Sequence, residues 1–451
     1  MRKPFFVLLV SCFVIVQSFA ADEPAPSQLP HVTSQMLMAG FWIGLHSSPD
    51  KIVLRPQQIK NFNENIRVSL KLTKDIFSLV DHFQTESLVD IFKKDIENYS
   101  DKILFLANGS GEYSNLLDKV KKNVHLSGVV LGMEPRYGLV VSYANQRFLP
   151  TKEGLYAKRG DLDFDELQNS ALDLGTPVAV VHQSLDGKWY YALSALSDGW
   201  IEAQNIALGD TQQIKNFTEA KDFVVITSPK ADIFLDSSMT NFYQYARMGV
   251  KVPLLDQNEG QWIVQIPLRD KSGQMQLSNG YIPKTQASKG YLPYTARTIY
   301  NEAFSMLDKP YGWGDVNGQQ DCSRFLQMVY ATVGIELPRD SKDQAQVGVE
   351  IASFDTKMND YKEKLDGLQK AQGALTILPM KGHIMLYLGM INDVPFAIHE
   401  TSGYSFAKGE SQIKYILNRV VVSDLSLGET SSKGSLLKRL LKVVGIYNNE
   451  N

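Results

Sequence analysis

A degenerate internal repeat in the middle of the chain constrains its fold more than any other feature. Each copy contains a short apolar strand, a polar turn, a strand led by a Trp, and a final strand that reads Gly, aromatic, Ile. The first copy spans residues 175–201 and the second spans residues 249–283. Short strands separated by Gly-rich turns are typical of small all-β barrels or sandwiches. We therefore predict two small all-β domains, at residues 126–210 and 211–290.

The first 20 residues have the pattern of a secretory signal peptide. Arg2 and Lys3 precede an apolar stretch at residues 5–16, and residues 18–20, Ser-Phe-Ala, form a small-x-small cleavage site. An uncleaved membrane anchor and a lipoprotein attached through Cys12 are the two alternatives. No later stretch is long and apolar enough to cross a bilayer. We expect an exported protein, periplasmic, in the cell envelope or secreted, without a transmembrane span after signal cleavage.

The region before the repeat is predicted to be mainly helical. Apolar residues recur there at helical spacing, with one such series at Ile76, Leu79, Val80 and Phe83. No arrangement of reactive side chains stands out in this region. We therefore predict a stabilising domain at residues 21–125.

The region after the repeat, residues 291–451, combines helical patterns with two later apolar strands at 383–389 and 395–401. Helices followed by an antiparallel sheet indicate an α+β domain. Its last apolar segment, residues 435–446, is predicted to be a helix packed on its own domain, with a helix on a membrane surface as the alternative. The predicted fold is therefore multidomain: a mainly helical N-terminal segment, two small all-β barrels and an α+β domain.

Charge and motif content exclude several function classes. The formal net charge is −3, which gives no basic surface, so we expect no nucleic-acid partner. There is no HExxH or paired-Cys pattern for a metal site. Asp161, Asp163 and Asp165 lack the Gly and distal Glu of a calcium loop, and we predict a solvated acidic loop there. We expect a monomer without metal or cofactor.

Cys322 is one of two cysteines in the chain, and it stands alone once a signal peptide is removed. Phe325, Leu326 and Val329 share its predicted helix face, which favours a buried core thiol. Its place in the first turn of that helix favours a reactive thiolate with a lowered pKa. Position alone leaves both interpretations open.

Two histidines favour the reactive interpretation. A hairpin centred on Ile391 would place His383 directly opposite His399, on one face of the sheet. One imidazole can then deprotonate the thiol while the second fixes its tautomer, as in cysteine hydrolases. The alternative is that two structural histidines pair by accident. We predict that Cys322, His383 and His399 form one catalytic group.

Five ordered motifs carry a resemblance to a known family. They are Tyr311-Gly312-Trp313-Gly314, Asp321-Cys322-Ser323, Leu337-Pro338-Arg339-Asp340-Ser341, the segment 382–389, and Ile398-His399. This series resembles the NlpC family of papain-like cysteine peptidases of bacterial cell walls, over about residues 300–405. The repeat resembles a tandem of bacterial SH3 domains. The whole layout resembles family members with an N-terminal stabilising segment and two such domains.

The resemblance implies a circularly permuted papain-like core in which Cys322 attacks an amide carbonyl, His383 is base and then acid, and His399 orients His383. Backbone N–H groups at the start of the Cys322 helix would hold the oxyanion. The implied substrate is the D-γ-glutamyl–diamino-acid bond of peptidoglycan stem peptides, which some relatives cleave only beside a free N-terminal L-Ala. The positions that match the substrate groove are Tyr311, Asp321, Ser323, Asp340 and Ser341. Asp321 has a second interpretation, as a helix cap.

Three departures from the family pattern accompany these matches. Arg324 and Asp315 stand where many relatives have glycine, and the interval between the two histidines is long. Two alternative functions remain: an amidase or acyltransferase with the same catalytic residues, and a non-catalytic cell-wall-binding module. Product masses separate the first from a peptidase, and a thiol-reactive probe separates the second.

Overall fold

The computed structural model of the chain describes residues 23–24, 29–78, 85–130, 134–355, 361–409 and 411–448. The predicted signal peptide, including Cys12, and the residues Leu79, Val80 and Phe83 lie outside these ranges. None of the helices in the described ranges combines the length and apolarity needed to cross a membrane.

The α-helices of the described residues are numbered in chain order. They are α1 (Ala39–Leu45), α2 (Pro56–Glu64), α3 (Thr85–Ser100), α4 (Ser114–Asn123), α5 (Thr211–Thr218), α6 (Ala296–Ser305), α7 (Cys322–Ala331), α8 (Ser341–Gln344), α9 (Tyr361–Gln369) and α10 (Leu436–Arg439). One π-helical turn, Asn65–Ser69, continues α2.

Two sheets of seven strands occupy the region of the sequence repeat. After a two-residue strand β1 (Glu23–Pro24), the first β domain contains β2 (Arg136–Val140), β3 (Ala144–Arg147), β4 (Gln168–Leu172), β5 (Pro177–Gln183), β6 (Trp189–Leu193), β7 (Asp198–Glu202) and β8 (Ile206–Leu208). The second β domain contains β9 (Phe223–Ile226), β10 (Lys230–Phe234), β11 (Phe242–Arg247), β12 (Lys251–Gln257), β13 (Gln261–Arg269), β14 (Met275–Pro283) and β15 (Ala287–Lys289).

The two β domains share one topology. Their strand orders are β4-β3-β7-β6-β5-β2-β8 and β11-β10-β14-β13-β12-β9-β15. Each strand of the second sheet takes the place of the strand seven positions earlier in the chain. The repeat seen in the sequence is therefore a repeat of strand order as well.

The third sheet belongs to the C-terminal region. Its strands are β16 (Val349–Ser353), β17 (Thr376–Met380), β18 (His383–Ile391), β19 (Val394–Lys408), β20 (Ser411–Asp424) and β21 (Lys442–Gly445), in the order β1-β20-β19-β18-β17-β21-β16. The predicted helix at 435–446 is wrong beyond α10, because β21 enters the sheet between β17 and β16. Val443 and Val444 are both buried, as expected for a strand covered on both faces.

The N-terminal segment is divided between two cores. Residues 29–66 share one hydrophobic cluster with α6, α7 and the third sheet. Residues 76–78 and 88–124 pack instead on the first β domain, where the rings of Phe92 and Trp200 lie 5.2 Å apart between centroids. Helices α1 to α4 therefore stabilise two different parts of the molecule.

Trp42 tests whether α1 is an integral part of the third-sheet core. Trp42 is 1% exposed, its Nε1–H donates to the carbonyl of Met36 at 2.8 Å, and its ring lies 5.6 Å from that of Phe396 on β19. We expect Trp42→Ala to lower the free energy of unfolding by about 3–5 kcal/mol, because it leaves a cavity. The measurement is urea denaturation. Leu45→Ala on the same helix, where the side chain is 58% exposed, should change stability by less than about 0.5 kcal/mol, and equal losses in both variants would contradict this packing.

Candidate active site

Cys322 is the first residue of α7, and the side chains that follow it anchor the helix. Phe325, Leu326 and Val329 are fully buried, as their helix-face spacing predicts. Cys322 itself is half-buried and forms no disulfide. The sequence left open a buried core thiol and a reactive thiol at a helix start. The structure has features of both, because α7 is a core helix whose first residue, Cys322, is partly exposed.

The turn between β18 and β19 differs from the predicted one. We predicted a turn centred on Ile391 and a direct pairing of His383 with His399. The turn instead consists of Asn392 and Asp393, whose φ angles of 49° and 63° are both left-handed. Left-handed φ at both central residues is characteristic of the two-residue type I′ hairpin turn.

A β-bulge nevertheless brings the two histidines to one face. The pairing shifts by one residue at Leu388, and beyond it Leu386 pairs with Ile398. In this register His399 lies two residues along the strands from the position directly opposite His383. An even displacement keeps the two imidazoles on the same face of the sheet. Without the bulge the displacement would be three residues, and the imidazoles would lie on opposite faces. The predicted shared face is confirmed, and the predicted direct pairing is wrong.

Two hydrogen bonds fix the orientation of the histidine rings. His383 Nε2 lies 2.9 Å from His399 Nδ1, and His399 Nε2 lies 3.0 Å from Ser423 Oγ. We assign the proton to Nε2 of both rings, so that His383 donates to His399 and His399 donates to Ser423. This assignment leaves a lone pair on His383 Nδ1, which a general base requires.

Ser423 was missed by the sequence reasoning. It lies on β20, opposite Ala397 of β19, and is 1% exposed. Nothing in the sequence around Ser423 distinguishes it from other serines, because its role depends on the pairing of β19 with β20.

The thiol of Cys322 lies beside the start of β18. The amide N–H groups of Ile384 and Ser323 donate toward its sulfur and favour the thiolate. Ile384 directly follows His383 in the chain, so the thiol and the imidazole belong to the same site. The structure thus places the Cys322 sulfur beside the residue that follows His383, and His383 contacts His399. The catalytic roles of the three residues remain predictions.

Burial keeps the reacting groups neutral in the resting site. Burial, together with the neighbouring Asp321 carboxylate, raises the pKa of Cys322 to about 12. Burial, together with the Arg439 guanidinium, lowers the pKa of His383 to about 4, and burial also holds the pKa of His399 well below its usual range. The expected lowering of the thiol pKa is therefore wrong, because desolvation outweighs the helix terminus.

Asp321 and Ser323, both predicted to bind substrate, are buried and engaged with neighbouring groups. Asp321 caps α7 by accepting the N–H of Arg324 at 3.0 Å, which confirms its interpretation as a helix cap. Ser323 Oγ donates to the same carboxylate at 3.0 Å. Arg339 binds both carboxylate oxygens, at 2.7 Å and 3.2 Å.

The other three predicted groove residues lie in the loop before α7 and at the start of α8. Tyr311 is half-buried, its ring contacts that of Phe164 at 6.3 Å, and burial and the nearby Asp321 raise the pKa of its phenol. Asp340 and Ser341 stand at the start of α8. Within the described residues, their side chains form no hydrogen bond with the rest of the predicted site.

Six buried charged side chains surround the start of α7 and form what we call the Asp–Arg cluster. Its members are Asp173 of the first β domain, Arg247 of the second β domain, and Asp315, Asp321, Arg324 and Arg339 of the C-terminal region. Asp173 accepts hydrogen bonds from Arg247 at 2.7 Å and 3.0 Å, and it also pairs with Arg324. Asp315 lies 3.4–3.8 Å from the three guanidinium groups.

Two members of the cluster explain the departures from glycine. Asp315 Oδ2 lies 3.5 Å from Arg324 Nε, so the two unusual residues are partners. Asp315 has a left-handed φ of 68°, a conformation that glycine adopts without cost. Asp315 thus keeps a backbone conformation typical of glycine. Its carboxylate forms an ion pair with the guanidinium of Arg324.

Glu400 is a further buried acid beside the site. It is 0% exposed and accepts a hydrogen bond from Gln320 Nε2 at 2.8 Å. Burial raises the pKa of its carboxyl well above the usual range. In the part of the chain that the structure describes, no three His, Cys, Asp or Glu side chains are arranged to hold a metal ion.

Comparison with known proteins gives two domain matches. Residues 308–403 match the NlpC/P60 family, and residues 155–202 match the SH3 domain of the SH3b1 type. A solved structure described as a novel NlpC/P60 endopeptidase from Photobacterium damselae subsp. piscicida is similar over 95% of this chain and 97% of that chain, with a TM-score of 0.74 and 21% identity. That similarity shows a shared fold.

Two curated relatives match shorter stretches, and each is named gamma-D-glutamyl-L-lysine dipeptidyl-peptidase. The Bacillus cereus protein is 26% identical over 160 residues, which is 34% of this chain and 44% of the relative. The Bacillus subtilis protein is 31% identical over 96 residues, which is 21% of this chain and 30% of the relative. The matched part thus spans less than half the length of either relative. Residues 308–403 of this chain are thus similar to the NlpC/P60 family, and residues 155–202 are similar to an SH3 domain of the SH3b1 type.

Proposed function

We propose that this chain is an exported cysteine endopeptidase that hydrolyses the D-γ-glutamyl–diamino-acid amide bond of peptidoglycan stem peptides. The observation that carries the proposal is the hydrogen-bonded series His383–His399–Ser423, together with the Ile384 N–H, next to His383 in the chain, which donates toward the Cys322 sulfur. The NlpC/P60 match and the names of the two Bacillus relatives support the substrate class. The signal-peptide pattern of residues 1–20 supports export.

The proposed mechanism starts from a neutral thiol and a neutral imidazole. Because their pKa values of about 12 and about 4 disfavour an ion pair at neutral pH, the proton passes to His383 Nδ1 as the sulfur attacks the amide carbonyl. N–H groups at the start of α7 stabilise the oxyanion. His383 then protonates the leaving amine, and a water molecule, deprotonated by His383, hydrolyses the thioester.

The first β domain would form one wall of the substrate groove. Its Phe164 ring lies 5.6 Å from that of Trp313 and 6.3 Å from that of Tyr311. On the same side, Asp163 accepts a hydrogen bond from Asn418 of β20 at 3.0 Å. These contacts support a role of this domain in shaping the groove, to which Tyr311, Asp321, Ser323, Asp340 and Ser341 would contribute contacts with the stem peptide.

The proposal includes a domain division. A signal peptide (1–20) precedes a stabilising segment (21–125), two SH3 domains (126–210 and 211–290) and the peptidase domain (291–451). The second β domain is proposed as an SH3 domain because its strand order equals that of the matched first one.

Replacement of the thiol tests the nucleophile. We expect Cys322→Ala to abolish cleavage of a defined stem peptide, because the residues that the structure describes hold no second cysteine to form the thioester. Mass spectrometry of the products from the wild-type enzyme should show a break after D-γ-glutamate. Cleavage by Cys322→Ala at the wild-type rate would exclude the thiol mechanism, and products of an amidase would exclude the endopeptidase assignment.

Ser423→Ala tests whether the hydrogen bond between His399 and Ser423 contributes to catalysis. The hydrogen bond from His399 to Ser423 contributes about 1 kcal/mol to holding the imidazole in its reactive orientation. Its loss should therefore lower kcat roughly five-fold. Steady-state kinetics on the stem peptide measure this change. Ser411→Ala on the same strand, where the side chain is exposed, is the control and should retain the wild-type kcat. An unchanged kcat in Ser423→Ala would remove Ser423 from the mechanism.

The pH dependence of kcat/KM tests the neutral resting site. His383 must be neutral to accept a proton, and its lowered pKa keeps it neutral above about pH 4. Activity should therefore be present above that pH and fall as pH decreases through it, provided that circular dichroism shows a folded protein. An acid limb near pH 6.5, the value of an unperturbed imidazole, would contradict the burial effect.

A further inference from the structure

Two charged residues of the β domains are buried against the first turn of α7. Arg247 is 0% exposed, and its Nε and Nη2 donate to the two oxygens of Asp173 at 2.7 Å and 3.0 Å. Asp173 in turn pairs with Arg324, which lies two residues after Cys322 on the same helical turn. The remaining Arg247 nitrogen, Nη1, donates to the carbonyl of Gln319 at 2.7 Å, in the segment that leads into the helix.

A second connection reaches the residue before the thiol. Arg339 binds the Asp321 carboxylate with two nitrogens, and its Nε donates to Ser170 Oγ of the first β domain at 2.8 Å. Asp321 caps α7, so its position sets the direction of the first N–H groups of the helix. Asp321, before Cys322, and Arg324, after it, are thus both connected to the first β domain: Asp321 through Arg339 to Ser170, and Arg324 directly to Asp173.

The charges make these connections resistant to displacement. The Asp–Arg cluster contains three carboxylates and three guanidinium groups, all buried. Each buried ion separated from its partners costs several kcal/mol. A shift of α7 relative to either β domain would separate such pairs, so the cluster holds the helix start in one position.

We propose that Asp173, Arg247 and Ser170 are positioning residues for the catalytic cysteine, acting through Arg324 and Arg339. The proposal deepens the proposed function and rests on Cys322 as the nucleophile. It assigns the β domains a part in the reaction itself, in addition to any contact with the substrate. None of the three residues contacts the reacting atoms. They determine the position of the thiol and of the oxyanion-binding N–H groups.

The test is a double variant that keeps the cluster neutral. Asp173→Asn with Arg247→Met removes one charge of each sign, so the cluster keeps two carboxylates and two guanidinium groups, and Arg324 keeps Asp315 as a partner at 3.5 Å. Thermal unfolding should show a folded protein. We expect kcat to fall by about ten- to hundred-fold, since a misplacement of about 1 Å costs up to about 10²-fold, while KM for the stem peptide stays close to wild type. The rate of Cys322 alkylation by iodoacetamide, followed by mass spectrometry, should also change.

A second variant and a control keep the result interpretable. If the double variant does not fold, Ser170→Ala removes only the partner of Arg339 Nε and should lower kcat without raising KM. Asp50→Asn with Arg297→Met removes an exposed pair that joins the N-terminal segment to α6, with 2.6 Å between Asp50 Oδ1 and Arg297 Nε, and should keep the wild-type kcat.

The outcomes separate this inference from the proposed function. A folded double variant, or a folded Ser170→Ala variant, with wild-type kcat and wild-type alkylation rate would overturn the positioning role. Absence of cleavage by the wild-type enzyme would instead overturn the proposed function. Alkylation needs no substrate, so it still decides whether the β domains control the thiol.

Discussion

The pairing of Asp173 with Arg247 and Arg324 joins three regions of the chain at one buried point. Transfer of a charged side chain from water to a protein interior costs several kcal/mol unless partners of opposite charge are already there. The C-terminal region pairs its own Asp315 and Asp321 with Arg324 and Arg339. Each β domain supplies only one charge to the cluster, Asp173 or Arg247, so neither domain can bury that charge without docking on its partners.

Burial also decides the state of the reacting groups. A helix terminus typically stabilises a charge by about 0.3–1 kcal/mol, which is less than one pKa unit at 1.36 kcal/mol per unit. Full burial can shift a pKa by about 3–5 units. The sequence showed the helix and its first residue, but the depth at which Cys322 and His383 lie depends on the sheet and the β domains packed around them.

Features governed by short-range pattern were predicted well. The apolar helix after Cys322, the strand 383–389 and the repeat all follow from local spacing of apolar residues. The predicted register of β18 and β19 failed because the turn consists of Asn392 and Asp393 and is not centred on Ile391, and because the bulge at Leu388 then shifts the pairing by one residue. The segment 435–446 failed because an apolar run in the centre of a sheet has no polar face to distinguish it from a buried helix.

Features that depend on distant partners were not predictable from the sequence. Arg324 and Asp315 stood out singly, but nothing local connects them with Asp173 or Arg247. Asp165 was predicted to be solvated, yet it is buried and pairs with Arg147 at 2.8 Å. In each case the charged residue is explained by a partner that the fold, and not the neighbouring sequence, supplies.

The neutral thiol has a chemical consequence outside the reaction. Oxidation of cysteine to sulfenic acid proceeds through the thiolate and requires access to the sulfur. With a pKa of about 12 and a half-buried side chain, Cys322 presents very little thiolate to oxidants at neutral pH. Under the proposed export and signal cleavage, no second thiol would remain to form a protective disulfide. The same desolvation that makes the sulfur a weak acid would then slow its oxidation in an oxidising compartment.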